Sequence, residues 1–480
     1  MGGLKVISRD LGSVFIIVSI INTFAVIIPI YYTEYYAILP ILLSSGVLAS
    51  VGLFFKFVTG RTKRDPLLRH AVAVAGLCWI FIPLFTVIPF MMISKLDFLS
   101  GYFESMSGWT TTGLTMLGGG EEGLSHTIQF YRSFTQWLGG IGVVVLTLTI
   151  LPRPGMGSFT LFRSEAREDK IHPSIISTIR SMWWIYLSFT IIGIVFLSLF
   201  GMPVWESINH AMCAISTGGF AVQSESIGAY NNVYLEIIIT LLTIFGATAF
   251  IANYNLFKGR FRKFFSDVQL RTLLVLIILG VIGLTLVNLS FYNGSIWDSL
   301  RHSFFQFASS QTTTGFSTVS ITEWSISAKL IMSVAMIIGG AAGATCGGIK
   351  LFRFLILAKE VKWNAIKTSS TPRRVIPYSI GGRSVSVDEK NDIVNEAAII
   401  SFLWIICLAI TVFILMAITS YSLQDIFFET CSAQGNVGLS VGITNVAMDP
   451  LAKLMFIINM YIGRLEIIPV VMMIAAIFRR

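Results

Sequence analysis

Residues 105–115 read Ser-Met-Ser-Gly-Trp-Thr-Thr-Thr-Gly-Leu-Thr, a run of small and hydroxyl-bearing residues that ends around a glycine. Similar runs recur further along. Residues 213–221 are Cys-Ala-Ile-Ser-Thr-Gly-Gly-Phe-Ala, 308–318 are Ala-Ser-Ser-Gln-Thr-Thr-Thr-Gly-Phe-Ser-Thr, and 431–440 are Cys-Ser-Ala-Gln-Gly-Asn-Val-Gly-Leu-Ser. With Gly113, Gly219, Gly315 and Gly438 in register, the residue six places earlier is always small: Ser107, Cys213, Ser309 and Ser432. Two places earlier stand Thr111, Thr217, Thr313 and Asn436. Recurrence of this kind marks one structural unit used several times.

Each run closes a short apolar segment: 97–112, 203–218, 297–314 and 423–437. An acid stands near each start, Asp97, Glu206, Asp298 and Asp425, suited to a helix N-terminus. Crossing about 30 Å of hydrocarbon takes roughly 20 apolar residues, so these segments read as re-entrant half-helices. Runs long enough to cross lie near 11–31, 36–58, 69–94, 127–150, 180–200, 232–256, 269–290, 326–357, 391–419 and 451–477. The expected fold is therefore an all-α integral membrane protein of about ten spans. Two extra N-terminal helices occupy 1–66. Four units of span, pore helix, filter loop and span follow at 67–160, 161–262, 263–365 and 366–480, around one central pore.

Composition agrees. Of 480 residues, 54% are hydrophobic and 12% charged, about half the charged share of a soluble domain. The net charge of +9 is not a nucleic-acid signature. Its Lys and Arg crowd Lys5–Arg9, Arg61–Arg69, Arg153–Arg180, Lys258–Arg271, Arg353–Arg383 and Arg479–Arg480, whereas 31–36, 118–127, 219–232 and 441–450 contain none. The positive-inside rule then puts both termini in the cytoplasm and brings the half-helices in from outside. The N-terminal apolar run reads as an uncleaved span rather than a signal peptide. Five cysteines are scattered without ligand or disulfide spacing. The tyrosines at 31, 32, 35 and 36 and Trp183-Trp184 suit membrane interfaces.

A glycine loop can turn successive carbonyl oxygens toward an axis. Four around one axis make oxygen rings that replace the water shell of a monovalent cation, and the negative C-terminal ends of the half-helices favour it further. The candidate ion-coordinating residues are Thr111, Thr112 and Gly113; Thr217, Gly218 and Gly219; Thr313, Thr314 and Gly315; and Asn436, Val437 and Gly438. Nine places before each filter glycine stand Glu104, His210, Gln306 and Glu429, read as polar scaffolding for the pore helices.

These four runs resemble the Trk/Ktr/HKT superfamily of potassium transporters, specifically its Trk-type membrane subunit, over nearly the whole chain. The two extra spans fit the Trk branch. Two further stretches carry the resemblance. Residues 339–350, Gly-Gly-Ala-Ala-Gly-Ala-Thr-Cys-Gly-Gly-Ile-Lys, interrupt a span too rich in small residues to hold a regular helix. The resemblance makes them an intramembrane gate beneath the filter, with Gly339, Gly340, Gly343, Gly347, Gly348 and Lys350 its candidate residues; Ala344 departs from the family's usual serine. Residues 463–469, Gly-Arg-Leu-Glu-Ile-Ile-Pro, place Arg464 inside an apolar span. Such a charge marks a functional site by default, and the resemblance sets it in the pore as a barrier. Glu466, two residues on, points to a different helix face. Sodium-preferring members often carry serine at the first filter glycine, so four glycines resemble the potassium-selective pattern.

The resemblance implies potassium as the transported ion, no bound organic cofactor, a homodimer, and a cytosolic nucleotide-binding Trk regulatory subunit. The basic segments 153–180 and 359–392 are candidate docking loops for that subunit. Location is the cell membrane, in contact with lipid. The alternative is a secondary transporter coupling potassium to sodium or protons, but four repeats of one topology do not fit its two inverted halves. No P-loop, nucleophile-and-base grouping or metal-ligand spacing stands out, so an enzyme is not expected.

Overall fold

The computed structural model describes residues 2–59, 68–150, 175–371, 377–381, 383–467, 469, 470 and 473. The basic stretches 61–67 and 153–174, Arg373, Arg374, Arg479 and Arg480 lie outside these residues, as do the expected unit boundaries at 66/67 and 160/161.

The described chain is helical apart from loops and one two-residue hairpin, Ser379–Ile380 against Arg383–Ser384. Two N-terminal helices, Gly2–Thr23 and Ile38–Thr59, pack along each other. A close approach makes this possible: Gly12 and Gly52 face each other's carbonyl oxygens, where a Cβ would come within 2.7 and 2.9 Å. Four units follow, each with a half-length helix: Phe98–Trp109, Val204–Ile215, Ile296–Gln311 and Leu423–Gln434. Their starts are set by local chemistry. Asp97 caps the first by accepting from the Leu99 and Ser100 amides. Ser295 and Ser422 cap the third and fourth by accepting from the Asp298 and Asp425 amides, and each serine hydroxyl donates back to the carboxylate of that aspartate, three residues inside the helix. Glu206 holds the same inner position after Pro203.

Long helices present apolar side chains outward. On Val268–Asn288, Leu273, Ile277, Val281 and Leu284 are buried, while Val275, Ile278, Leu279, Ile282 and Leu286 are exposed. A helix apolar on both faces is stable only where its outer face meets lipid. Among the described residues, six helices are long and apolar enough to cross a membrane unbroken. The chain is an integral membrane protein.

Continuity of the spans differs from the sequence expectation. The span over 326–357 is broken into Ile326–Ile338 and Leu351–Thr368, as its glycines foretold. The one over 232–256 is also broken, into Val233–Ala247 and Phe250–Phe257, bent by 114°. No glycine cluster or proline announced that break. Its cause is tertiary: the freed carbonyls of Gly246 and Ala247 accept from the Thr345 and Ala341 amides of the glycine-rich loop, which satisfies the helix end. The helix Pro450–Leu465 is interrupted at Glu466, whose φ is +64°, and the described residues 467, 469, 470 and 473 beyond it are helical again.

Candidate functional site

The half-helices end alike. In each, the residue two before the filter glycine is left-handed: Thr111, Thr217, Thr313 and Asn436, at φ between +53° and +54°. Its amide donates back to the carbonyl of Gly108, Ala214, Ser310 or Ala433, and the next amide donates to Ser107, Cys213, Ser309 or Ser432. This is the double bond pattern of a glycine-capped helix end, built here on threonine and asparagine. A left-handed non-glycine residue costs roughly 1–2 kcal/mol. Four at matched positions, where strained backbone gathers at functional sites, distinguish these ends from ordinary caps. The sequence register put these residues at one position without revealing the strain.

The four candidate filter glycines are left-handed too, at φ +88°, +79°, +87° and +100° for Gly113, Gly219, Gly315 and Gly438. They meet in a closed ring. A Cβ on Gly113 would overlap the carbonyl oxygen of Gly218, one on Gly219 that of Thr314, one on Gly315 that of Val437, and one on Gly438 that of Thr112. Each unit thus leans on the next, and the fourth returns to the first. One cavity is lined by all four glycines and by Thr115, Ser317 and Ser440 beyond them. Among the described residues no group of three or more His, Cys, Asp or Glu side chains could hold a metal ion. The twelve residues singled out by sequence all lie in these four loops.

The glycine-rich stretch 339–350 packs against the other end of the ring. The Gly347 amide donates to Thr313 Oγ1 at 2.8 Å, Thr345 Oγ1 lies 3.2 Å from Thr217 Oγ1, and a Cβ on Gly347 would stand 2.9 Å from that of Asn436. Gly339, Gly343, Gly348 and Lys350 have positive φ. The loop leans outward on the broken helix of the second unit: Thr345 Oγ1 donates to Gly246 O at 2.9 Å, and the Phe250 amide donates to Gly343 O at 3.0 Å. Arg464 is 5% exposed and donates to the carbonyl oxygens of Thr345 and, at 3.0 Å, Gly139. It has no carboxylate partner among the described residues. Glu466 pairs instead with Arg353, and Lys350 donates to Cys346 O.

The family model for TrkH, described as a cation transport protein, matches residues 68–479. The chain belongs to the TrkH cation transport family. It is 32% identical to an uncharacterized cation transporter of Methanocaldococcus jannaschii, over 98% of this chain and 94% of that one. It is 32% identical to the Trk system potassium uptake protein TrkG of Escherichia coli, over 86% of each. The crystal structure of the potassium transporter TrkH from Vibrio parahaemolyticus superposes with a TM-score of 0.88 at 26% identity, covering 99% of this chain and all of that one.

In this TrkH-family chain three of the four residues nine before the loop glycines hold the segment that leaves the ring. Glu104 accepts from the Met116 amide at 2.7 Å and from Thr115 Oγ1 at 3.0 Å. Glu429 accepts likewise from the Val441 amide at 2.7 Å and Ser440 Oγ at 2.6 Å. Gln306 donates to Val319 O at 3.2 Å. His210 instead bonds Glu206 O within its own helix. Sequence reading missed two residues here. Arg132 pairs with Glu104 at 2.9 Å, donates to Ala221 O at 3.2 Å, and lies 4.2 Å from the Phe220 ring centre. Gln136, one helical turn further, grips Gly218 and Phe220. An arginine inside the apolar run 127–150 was the available signal, of the same kind that pointed to Arg464.

Proposed function

We propose that the chain carries potassium into the cell through a channel-like pore, with the four loops as its filter. The observation that carries this reading is the closed ring, in which each filter glycine fits against the carbonyl of the following unit. Oxygen-lined rings of this kind replace the hydration shell of a monovalent cation, and the pore-helix C-termini favour positive charge. Similarity to Trk potassium uptake proteins supports potassium as the ion.

In this reading the stretch 339–350 is the gate. It sits against the filter and is tethered by Arg464, whose cationic head is also a barrier to a passing cation. Both termini face the cytoplasm, and the chain divides at 66, 160, 262 and 365. The protein works as a homodimer in the cell membrane, with a cytosolic nucleotide-binding Trk subunit regulating the gate. The coupled-transport alternative calls for acids free to titrate along the pore. Glu104 and Glu429 are engaged in holding filter strands instead.

The test is flux into liposomes holding the purified protein, under potassium, rubidium, sodium and lithium gradients. Potassium and rubidium well above sodium and lithium is the expected result. Equal flux of all four would remove the filter assignment. Absence of flux that persists after the cognate regulatory subunit is added would remove the channel reading.

A further inference from the structure

The second filter loop is the odd one. At the place just before the filter glycine, loops one and three carry Thr112 and Thr314, whose hydroxyls bond those of Thr110 and Thr312 at 2.8 Å each. That bond ties the loop to the end of its own pore helix. Loop four has Val437, and its neighbour Asn436 bonds Thr112 Oγ1 at 3.0 Å and Met460 O at 2.9 Å. Loop two has Gly218, with no side chain to use. Backbone conformation does not ask for glycine there, because Gly218, unlike Gly219, lies outside the left-handed region. Space does: a Cβ on Gly218 would overlap the carboxamide of Gln136.

Gln136 is fully buried, and both ends of its carboxamide are used. Nε2 donates to Gly218 O at 2.6 Å and Oε1 accepts from the Phe220 amide at 3.1 Å, so it brackets Gly219 from both sides. Four helical positions earlier on the same face, Arg132 holds a carbonyl further along the loop, that of Ala221. The equivalent residues of the other three units cannot do this. At the seventh helix position, where the first unit has Arg132, stand Ile239, Met332 and Phe456. At the eleventh, where it has Gln136, stand Thr243, Met336 and Met460.

We propose that Gln136 is a specificity-determining positioning residue, its carboxamide standing in for the side chain that Gly218 lacks and setting the second loop's share of the ring. This inference rests on the reading of the ring as a potassium filter. Gln136 does not touch the ion. It acts through the loop backbone, so its loss changes which ion fits, beyond any change in folding.

The experiment measures potassium and sodium flux in liposomes for the wild type, Gln136→Ala, Gly218→Thr and the double variant. A second readout is the difference between potassium and sodium in raising the melting temperature of the detergent-purified protein, which needs no open gate. Gln136→Ala is expected to lower the potassium-to-sodium ratio about tenfold, the scale of one buried hydrogen bond lost. Gly218→Thr alone is expected to do worse, because its side chain meets Gln136. In the double variant the threonine enters the vacated space, within its own loop's reach of Ser216, and the ratio recovers above both single variants. An unchanged ratio in Gln136→Ala beside a selective wild type overturns this inference and leaves the filter reading standing. A double variant no better than the poorer single one also overturns it. A wild type with no potassium preference takes down both.

Discussion

Lys329 Nζ, on the second helix of the third unit, lies 2.7 Å from Asp425 Oδ1 on the pore helix of the fourth. It belongs to a set. Lys453 of the fourth unit donates to Ser100 Oγ of the first at 2.8 Å, Gln129 of the first accepts from Trp205 Nε1 of the second at 2.8 Å, and Glu236 of the second pairs with Arg301 of the third at 2.6 Å. Each of Gln129, Glu236, Lys329 and Lys453 is the fourth residue of its helix. The closed ring of the four loop glycines is therefore accompanied by a second cycle of polar contacts, which links the four units in the same order.

This arrangement predicts a charge-swap result. Glu236 and Arg301 are 5% and 14% exposed, so they are only partly screened. Glu236→Arg should lower stability by about 1–3 kcal/mol, between the ranges for surface and buried pairs. The double exchange Glu236→Arg with Arg301→Glu should recover at least half of that. Melting curves of the purified variants in detergent check it; two losses that simply add would mean the pair is not coupled.

The Arg132–Glu104 pair makes a stronger demand. Both side chains are at most 2% exposed, and removing one partner of a buried pair costs about 3–5 kcal/mol. Arg132→Met should therefore melt well below the wild type, while Arg132→Met with Glu104→Gln should regain part of the loss, since glutamine can still accept from the Met116 amide. Equal melting temperatures for the two variants would show that Glu104 carries no uncompensated charge.

Much of this was legible in the sequence because it rests on local patterns. The half-helices are short, their ends repeat, and residues 339–350 are too rich in glycine to stay helical. What could not be read depends on contacts between units. The break after Ala247 exists because the loop of another unit takes up its carbonyls. Gly218 looks like its neighbour Gly219 in sequence, yet one is glycine for space and the other for backbone angle. Glu466, two residues from Arg464, is turned by its positive φ toward Arg353.

Gly113→Ser tests the filter itself. Gly113 has φ +88°, and its Cβ position falls on the Gly218 carbonyl. A serine must push that carbonyl aside, which disturbs both the first loop and the second. The expected outcome is a potassium-to-sodium flux ratio reduced by about tenfold or more, since misplacing one coordinating oxygen costs on the order of 1–3 kcal/mol. Unchanged selectivity in liposomes would take Gly113 out of the filter.

Arg464→Ala tests the barrier beneath it. Arg464 tethers the glycine-rich loop through Thr345 O and bridges to Gly139 O of the first unit. Alanine removes both hydrogen bonds and the buried positive charge, so the loop loses its link to the last span and a permeating cation meets less repulsion. Hydrogen bonds to a charged donor contribute about 1.5–3 kcal/mol each, enough for a rise of tenfold or more in potassium flux measured without any regulatory subunit. Thr345→Val separates the two effects. It removes the hydroxyl bond to Gly246 O but keeps the arginine and its charge. If flux rises in both variants, the loop's anchorage sets the barrier; if it rises only in Arg464→Ala, the charge does. Unchanged flux in a well-folded Arg464→Ala would remove Arg464 from the permeation path.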